Sequence, residues 1–133
     1  RTSVVIVKPP FGVSTPDAYR WFDEDGPPRQ SRARRRLPSS WPPWAASLRN
    51  DLEAPVVRRH PPIRRVVRAL TGLGADYAAM SGSGSAVFGL FEAADTARTA
   101  QAALARRGWN AWVTQTLSRA AVVRERQRVL AGG

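Results

Sequence analysis

The sequence predicts an α+β domain with a ferredoxin-like, split β-α-β sheet and with the helices on one face of that sheet. Three observations lead to this fold class. Hydrophobic residues make up 43% of the 133 residues, which is enough for one small core. Segments with the period of strands or of helices follow in the order strand, helix, helix, helix, strand, strand, helix, strand. Without the two additional helices, the order becomes β-α-β-β-α-β.

The chain opens with a predicted strand and a predicted helix. Residues 4–7, Val-Val-Ile-Val, are β-branched and apolar on both faces, as in a strand in the interior of a sheet. Residues 14–17, Ser-Thr-Pro-Asp, then offer an N-cap hydroxyl, a proline at the first helical position and an acid in the first turn. A helix is therefore predicted to follow, with an apolar face formed by Ala18, Tyr19 and Phe22.

Two further helices are predicted in the middle of the chain. Residues 44–52 suit a short helix, and Pro61 and Pro62 open a longer one. The longer helix is predicted to end at Gly72 or Gly74, because glycine commonly follows a last helical turn. Its buried face has the spacing i, i+3, i+4, i+7 and consists of Ile63, Val66, Val67 and Leu70.

A hairpin, a helix and a final strand complete the predicted fold. Residues 75–80 and 85–91 are strand-like runs joined by Gly-Ser-Gly, which predicts an antiparallel hairpin. Residues 109–117 alternate like a strand, with one large aromatic side chain on each face. The helix between them is predicted to have Asp95 as its N-cap and to end at Gly108. Its buried stripe is predicted to consist of Ala97, Ala100, Ala103 and Leu104.

Length and composition exclude several classes of protein. A chain of 133 residues is one domain, or one domain with tails, and is too short for a large multidomain enzyme. It contains no cysteine, which excludes disulfides, thiolate zinc sites and a cysteine nucleophile and fits a cytoplasmic protein. Its apolar runs are only a handful of residues long, so we predict no membrane span, and nothing resembles a signal peptide.

The net charge of +11 has two interpretations. The 21 cationic side chains, against 10 acidic ones, comprise one lysine, Lys8, and otherwise only arginine. This bias is expected either of a polyanion-binding protein or of a GC-rich genome, so the charge alone does not specify a nucleic-acid partner. Much of the charge lies in the Pro- and Arg-rich residues 26–43, which we interpret as a solvated loop, in residues 54–71, which include the longer predicted helix, and in a basic tail at residues 120–133.

The Gly- and Ser-rich residues 80–85, Met-Ser-Gly-Ser-Gly-Ser, form the most suggestive motif of the sequence. Its two glycines allow positive φ, so that successive backbone N–H groups can surround a phosphate, and its three hydroxyls add donors. The alternative is a simple turn between two strands. The motif lacks the Gly-Lys-Ser/Thr of a Walker loop and the third glycine and following helix of a dinucleotide-binding fingerprint.

Other catalytic patterns are weak. His60 is the single histidine, and its position at a helix entry favours an exposed, structural role over a catalytic triad. Residues 23–25, Asp-Glu-Asp, look like a solvated helix end, so no metal site is predicted. Residues 50–53, Asn-Asp-Leu-Glu, suit either a buried turn or a capping segment between two helices.

Three segments of the chain occur in an order that matches one family. Residues 8–19 (Lys-Pro-Pro-Phe-Gly-Val-Ser-Thr-Pro-Asp-Ala-Tyr), residues 50–53 and the Gly-rich hairpin at residues 74–91 resemble the C-terminal half of the 4-diphosphocytidyl-2-C-methyl-D-erythritol kinases. These kinases belong to the GHMP kinase superfamily, and the Pro-x-x-Gly-Val-Ser-Thr pattern separates them from the mevalonate and homoserine kinases. The resemblance implies a GHMP kinase C-terminal domain at residues 1–119.

The resemblance also implies which residues face the substrate. Thr15 and Pro16 match the segment that faces the methylerythritol and cytidine moieties. Tyr19 matches an aromatic position that stacks on cytosine, and Arg20 matches a basic position near the nucleotide.

A second set of residues is implied to form and support the phosphate region. Asn50 and Asp51 match a structural motif that supports the site from behind. The matching glycine-rich loop, which shapes the phosphate and substrate region in these kinases, consists of Ser81, Gly82, Ser83, Gly84 and Ser85.

The implied activity is the ATP-dependent phosphorylation of the 2-hydroxyl of 4-diphosphocytidyl-2-C-methyl-D-erythritol, a step of non-mevalonate isoprenoid biosynthesis. In these kinases the ATP-cradling loop and the catalytic Lys and Asp lie in an N-terminal domain, which holds most of the ATP and Mg²⁺ contacts. None of these elements is in this chain, which starts at Arg1. We therefore expect a fragment that has no catalytic residue or metal ligand and is inactive alone.

Two alternatives to a kinase half stay open on the sequence. One is a freestanding ferredoxin-like module that binds RNA through the arginines of residues 29–36 and 58–68. Against it, neither Phe88 nor Trp112 lies in the Lys/Arg-Gly-Phe motif of an RNA recognition module. The other alternative is a GHMP pseudodomain without catalysis. The expected partners of the kinase are ATP and the cytidine substrate, with no membrane and no nucleic acid, and the sequence leaves the oligomeric state open.

Overall fold

The computed structural model describes residues 2–26, 50–116 and 126–131 of the chain. Its elements follow the predicted order, which confirms the α+β fold class. Residues 126–131, within the predicted basic tail, are helical and exposed. The strands and helices of the domain are β1 (Ser3–Lys8), α1 (Thr15–Asp25), α2 (Glu53–Arg59), α3 (Pro61–Gly72), β2 (Tyr77–Met80), β3 (Val87–Phe91), α4 (Ala94–Arg106) and β4 (Asn110–Gln115).

The four strands form one antiparallel sheet in the order β2-β3-β1-β4. In the central row, Val5 of β1 lies opposite Gly89 of β3 on one side and Val113 of β4 on the other. The run of β-branched residues is therefore an interior strand, as predicted, because both of its edges are hydrogen-bonded to neighbours.

The core lies between one face of this sheet and the helices α3 and α4. The predicted stripe of α3 is buried, and so are the predicted positions of α4, except that Ala103 is only half-buried. The sheet contributes every second residue of β1 and β3 to the core, as the twofold strand period requires. The largest buried side chains of the core include Phe91, Ile63, Leu70, Met80 and Leu104.

The opposite face of the sheet is apolar but only partly covered. Val4, Ile6, Phe88 and Leu90 point to this side and are half-buried. Trp112 of the edge strand β4 lies opposite Ile6 and is 53% exposed. The buried residues of α3 and α4 form one cluster with the residues on the buried face of the sheet.

The structure corrects one predicted helix end and one predicted helix start. Of the helix predicted at residues 44–52, residues 44–49 lie outside the described residues and residues 50–52 are a turn, in which the side chain of Asn50 accepts a hydrogen bond from the N–H of Leu52. Helix α2 begins at Glu53, beyond the predicted range. That Asx-type turn offers the backbone an alternative to helix. Asp95 is not the N-cap of α4: Ala93 occupies that position, and Asp95 lies in the first turn, where it pairs with Arg98.

Other boundaries agree closely with the prediction. The hydroxyl of Ser14 caps α1 by accepting a hydrogen bond from the N–H of Asp17 at 3.1 Å. Helix α3 ends at Gly72, and Gly74 beyond it has a φ of +106°, which only glycine adopts readily. Residues 27–43 of the predicted Pro- and Arg-rich loop lie outside the described residues. In the part of the chain that the structure describes, no helix has the length and apolar character needed to cross a membrane.

Candidate functional site

Two loops and one turn meet at the same end of the sheet. Val7 of β1 pairs with Val87 of β3, and Val87 pairs with Met80 of β2. The loop after β1 (residues 9–14, the proline loop) therefore lies beside the loop between β2 and β3 (residues 81–86, the glycine-rich loop). The turn at residues 50–52 reaches the same place from the start of α2.

Lys8, the last residue of β1, ties the proline loop to the glycine-rich loop. Its ammonium donates to Ser85 Oγ at 2.6 Å and to the carbonyl oxygen of Phe11 at 3.0 Å, and it lies 3.5 Å from the carbonyl oxygen of Pro9. The Ser85 hydroxyl, which is 1% exposed, donates in turn to the Phe11 carbonyl. A buried hydroxyl is thus fully satisfied at the junction of the two loops.

A second contact joins the glycine-rich loop to the start of α1. The hydroxyls of Thr15 and Ser83 lie 3.1 Å apart, although the residues are 68 positions apart in sequence. The loop itself is closed by hydrogen bonds from the N–H of Gly84 to the Ser81 carbonyl and from the N–H of Ser81 to the Ala86 carbonyl. The Thr15 contact places a predicted substrate residue directly beside a predicted phosphate residue.

The glycines of the loop are required by its conformation. Gly82 and Gly84 have φ values of +56° and +90°, which disfavour any residue with a Cβ. At Gly84 a Cβ would also lie 2.9 Å from the sulfur of Met80. The predicted motif is therefore a loop whose turn is set by two positive-φ glycines, and the N–H groups of Ser81 and Gly84 are used in closing it.

Asn50 holds the glycine-rich loop from the other side. Its amide nitrogen donates to the carbonyl oxygens of Met80 at 2.9 Å and of Gly82 at 2.7 Å. The carboxylate of Glu53 accepts a hydrogen bond from the N–H of Met80 at 2.9 Å. Residues 50–52 form a turn that supports the loop, but it is not the buried turn of the first interpretation, because Asp51 is exposed and Asn50 and Leu52 are half-buried. Asp51 lines the cleft next to Tyr19.

Two clefts flank Asn50. One, of about 320 Å³, is lined by Asn50 and Asp51 together with Tyr19, Phe22 and Leu52. The other, of about 230 Å³, lies against the glycine-rich loop and is lined by Asn50, Tyr77, Ala79, Met80, Ser81, Gly82 and Phe88. Tyr19, which lines the first cleft, is 57% exposed.

The structure separates Arg20 from the other predicted site residues. Its guanidinium pairs along α1 with Asp17 at 3.2 Å and with Glu24 at 3.8 Å, and it lines neither cleft. Pro16 lies in the first turn of α1, directly after Thr15. Arg20 and Pro16 stay predictions, because no contact of theirs points to a ligand.

His60 has a structural environment. Its ring stacks on Phe11 of the proline loop with the ring centroids 4.9 Å apart, and Trp21 lies 5.9 Å away on another side. The residue is half-buried, so the prediction of an exposed histidine is wrong while the structural role is supported. His60 thus fixes the proline loop against the helices α1 and α3.

The acidic end of α1 is an ion-pair site and not simply solvated. Asp25 accepts two hydrogen bonds from the guanidinium of Arg59, at 2.9 and 3.0 Å, and Arg58 lies 3.3 Å away. The hydrogen bond from Arg59 holds the pKa of Asp25 below its ordinary value, against the opposing effect of burial. Among the residues that the structure describes, no three acidic or histidine side chains are grouped to hold a metal.

Sequence reasoning missed two residues of this arrangement. Glu53 and Lys8 lie in two of the segments that resemble the kinases, residues 50–53 and 8–19, but the sequence predicts no role for either. The available signal for Lys8 is that it is the single lysine of the chain. For Glu53 the signal was its position in the first turn of a helix next to Asn50, where its carboxylate can reach a neighbouring backbone N–H.

Comparison with known proteins decides the family. The model of the family described as GHMP kinases C terminal matches residues 31–111. The chain belongs to the GHMP kinase family. This GHMP kinase chain has the same overall fold as the crystal structure of a 4-(cytidine 5'-diphospho)-2C-methyl-D-erythritol kinase, with a TM-score of 0.61 and 34% identity over 84% of the chain and 41% of that structure.

Curated relatives of this GHMP kinase chain are named as the same kinase as that crystal structure. The 4-diphosphocytidyl-2-C-methyl-D-erythritol kinase of Anaeromyxobacter sp. (strain K) is 42% identical over 125 residues, which are 91% of the chain and 38% of that protein. The kinase of that name from Parabacteroides distasonis is 48% identical over 87 residues, or 65% of the chain and 31% of the relative. The chain therefore spans between about a third and two fifths of these relatives. A homoserine kinase from Cytophaga hutchinsonii shares the fold alone, with a TM-score of 0.60 at 17% identity.

Proposed function

We propose that the chain is the substrate-side, C-terminal part of an ATP-dependent kinase that phosphorylates the 2-hydroxyl of 4-diphosphocytidyl-2-C-methyl-D-erythritol. The contact between Thr15 and Ser83 carries this proposal, because it joins the predicted substrate segment to the predicted phosphate loop at 3.1 Å. The similarity of 91% of the chain to a kinase of that name supports it. In this proposal the kinase acts in the cytoplasm, in the non-mevalonate pathway to isoprenoid precursors.

The two clefts beside Asn50 suit the two ends of such a substrate. Tyr19 offers an exposed aromatic side chain for a cytosine ring in the larger cleft. The glycine-rich loop, with exposed Ser81 and two positive-φ glycines, suits the phosphate groups. A base and a phosphate can therefore be bound on either side of one amide side chain.

ATP and Mg²⁺ belong mainly to the remainder of the proposed kinase. The glycine-rich loop has the chemistry to contact a phosphate group of ATP, which is the phosphoryl donor of the reaction. Grouped metal ligands do not occur among the described residues, so Mg²⁺ is expected on the part of the kinase outside this chain. In this arrangement the residues of the chain orient the acceptor substrate and its phosphates, and they do not activate the nucleophile.

Kinetics of a Tyr19 variant test the proposal. In the intact protein that contains this chain, ATP-dependent phosphorylation of 4-diphosphocytidyl-2-C-methyl-D-erythritol is measured for Tyr19→Ala and Tyr19→Phe. Base stacking on an aromatic ring predicts that Tyr19→Ala raises KM for this substrate about tenfold or more, while Tyr19→Phe, which keeps the ring, stays near the wild type. Absence of transfer to this substrate in the wild type would overturn the proposal. Salt-sensitive RNA binding without a cytidine response would favour the RNA-binding alternative.

A further inference from the structure

Lys8 occupies a place in the site that neither the family resemblance nor the relatives' names assign. We propose that its ammonium is the positioning cation of the substrate site. It locks the glycine-rich loop to the proline loop through Ser85 and Phe11, and its charge favours a diphosphate group at the junction of the two loops. The identity of the ligand rests on the proposed function, whereas the hydrogen bonds of Lys8 to Ser85 and Phe11 do not depend on it.

The ammonium is held from inside the loops by two strong hydrogen bonds. Ser85 Oγ accepts one at 2.6 Å and the Phe11 carbonyl accepts the other at 3.0 Å. The third donor meets only the Pro9 carbonyl at 3.5 Å, the long limit of a hydrogen bond, and Lys8 is exposed. An anionic oxygen that enters from solvent can therefore take the third N–H in place of this long contact.

The acceptors explain why this cation is a lysine. Three oxygens on one side of a single nitrogen suit a compact ammonium with three rotatable donors. The planar guanidinium fork of arginine instead suits the two oxygens of a carboxylate. In a chain whose other 20 of 21 cationic residues are arginine, the one lysine stands where the geometry of the acceptors requires it.

The charge of Lys8 has no carboxylate partner within 4 Å among the residues that the structure describes, and its three acceptors are neutral. The arginines with described ion pairs differ, because each is paired with an acidic side chain: Arg20, Arg58, Arg59 and Arg98. The positive charge beside the glycine-rich loop is thus uncompensated. Such a charge attracts an anion to the junction of the two loops.

Binding measurements on the intact protein separate the charge of Lys8 from its structural role. The probes are the cytidine diphosphate substrate, cytidine without phosphate, and inorganic pyrophosphate. Lys8→Met removes the charge and the donors, and Lys8→Arg keeps the charge. Arg98→Met is the matched control, because it removes one positive charge from α4, away from both loops.

We expect Lys8→Met to lower the affinity for the diphosphate substrate and for pyrophosphate by about ten- to a hundredfold, and the affinity for cytidine by less than about threefold. Lys8→Arg keeps the charge but fits the three acceptors less well, so it should recover only part of the affinity for the diphosphate, and Arg98→Met should change none of the affinities. Ser85→Ala tests the positioning role separately: it should lower kcat while the preference for the diphosphate substrate over cytidine persists.

The outcomes distinguish this inference from the proposed function. Equal losses for the diphosphate substrate and cytidine in Lys8→Met would overturn the charge role, while the kinase proposal would stand. A second outcome is that pyrophosphate binds in a way that depends on Lys8 while the cytidine compounds do not bind. This result would support the role of Lys8 and overturn the proposed identity of the substrate. If Lys8→Met does not fold, the ratio of diphosphate to cytidine affinity in Ser85→Ala decides: a ratio unchanged from the wild type supports the charge role, and a collapsed ratio overturns it.

Discussion

Asn50 links three parts of the site through one amide side chain. It donates to the carbonyls of Met80 and Gly82 and accepts from the N–H of Leu52. Because all of its strong hydrogen-bonding positions point at backbone, no other residue of similar size can replace it. An aspartate would turn carboxylate oxygens toward two carbonyl oxygens, and a serine is too short to reach both.

We predict that Asn50→Ala lowers the free energy of unfolding by about 1–3 kcal/mol, since it leaves two carbonyls without donors. Urea unfolding measures this change, and Asn50→Asp should lose more stability than Asn50→Ala. Gln101→Ala is a suitable control, because its amide donates to the carbonyl of Ala111 at 3.0 Å, far from the loops. Asn50→Ala and Gln101→Ala should both lower the free energy of unfolding, but only Asn50→Ala should raise KM for the proposed cytidine substrate. A KM that stays at the wild-type value in Asn50→Ala would contradict the supporting role.

A pH-dependent prediction concerns Asp25. The hydrogen bond from Arg59, with the charges of Arg59 and Arg58, holds the pKa of Asp25 below its ordinary value of 3.8. A lowered pKa in the folded state stabilises the fold above the ordinary pKa, and this contribution is lost as the pH falls through the folded value. Arg59→Met should therefore raise the pKa of Asp25 and move acid unfolding to a higher pH. Circular dichroism during acid titration, with Arg98→Met as the control, measures the shift, and equal midpoints in both variants would refute the assignment.

At the scale of elements, the contact between α3 and β3 depends on Gly89. A Cβ at this position would lie 3.1 Å from Leu70 Cδ2, 3.2 Å from Phe91 Cε2 and 3.4 Å from Ala75 Cβ. The missing side chain lets α3 approach the sheet, so this glycine serves packing and not backbone conformation. The sequence alone offered no sign of this, because Gly89 fits the strand pattern without any special role.

Gly89→Ala should accordingly lower the free energy of unfolding by about 1–3 kcal/mol through overpacking. Gly72→Ala provides the comparison: it lies in the last position of α3, has open space around its Cα and has no positive φ. That variant should be neutral or stabilised by up to about 1 kcal/mol. Thermal or urea unfolding of both variants tests the pair, and equal effects would show that space at Gly89 is not what limits the packing.

At the scale of the whole molecule, the two faces of the sheet differ in what covers them. Phe88 and Phe91 lie on the same strand but on opposite faces. Phe91 is fully buried under the helices, whereas Phe88 is half-buried beside Tyr77, with the ring centroids 5.9 Å apart. Comparing substitutions of these two phenylalanines therefore shows which face of the sheet is covered by the core.

We expect Phe91→Ala to lower the free energy of unfolding by about 3–5 kcal/mol, and Phe88→Ala by less than half as much. The difference follows from the apolar area that each ring removes from water. Urea unfolding of the two variants checks it. Equal losses would show that the open face of the sheet is also covered in the protein, and would locate a packing partner there.

Local sequence predicted most of the elements but not all of their limits. The β-branched run of β1, the Ser14 cap of α1 and the apolar spacing of α3 each act within a few residues, so they could be found by inspection. Residues 50–52, the end of a predicted helix, are a turn because the side chain of Asn50 accepts a hydrogen bond from the N–H of Leu52, and α2 lies beyond the predicted range. The exposure of β4 could not be predicted, since alternation does not distinguish an edge strand from an inner one.

The candidate site was predicted in its residue types and not in its contacts. The sequence by itself determined which segments form strands and helices, and it supplied a loop whose glycines and hydroxyls suit a phosphate. Only the tertiary structure brought Lys8 to Ser85 across 77 residues and Asn50 to Met80 across 30. The physical reason is that local periodicity decides what a segment can bury, whereas the pairing of distant strands decides which of their ends meet.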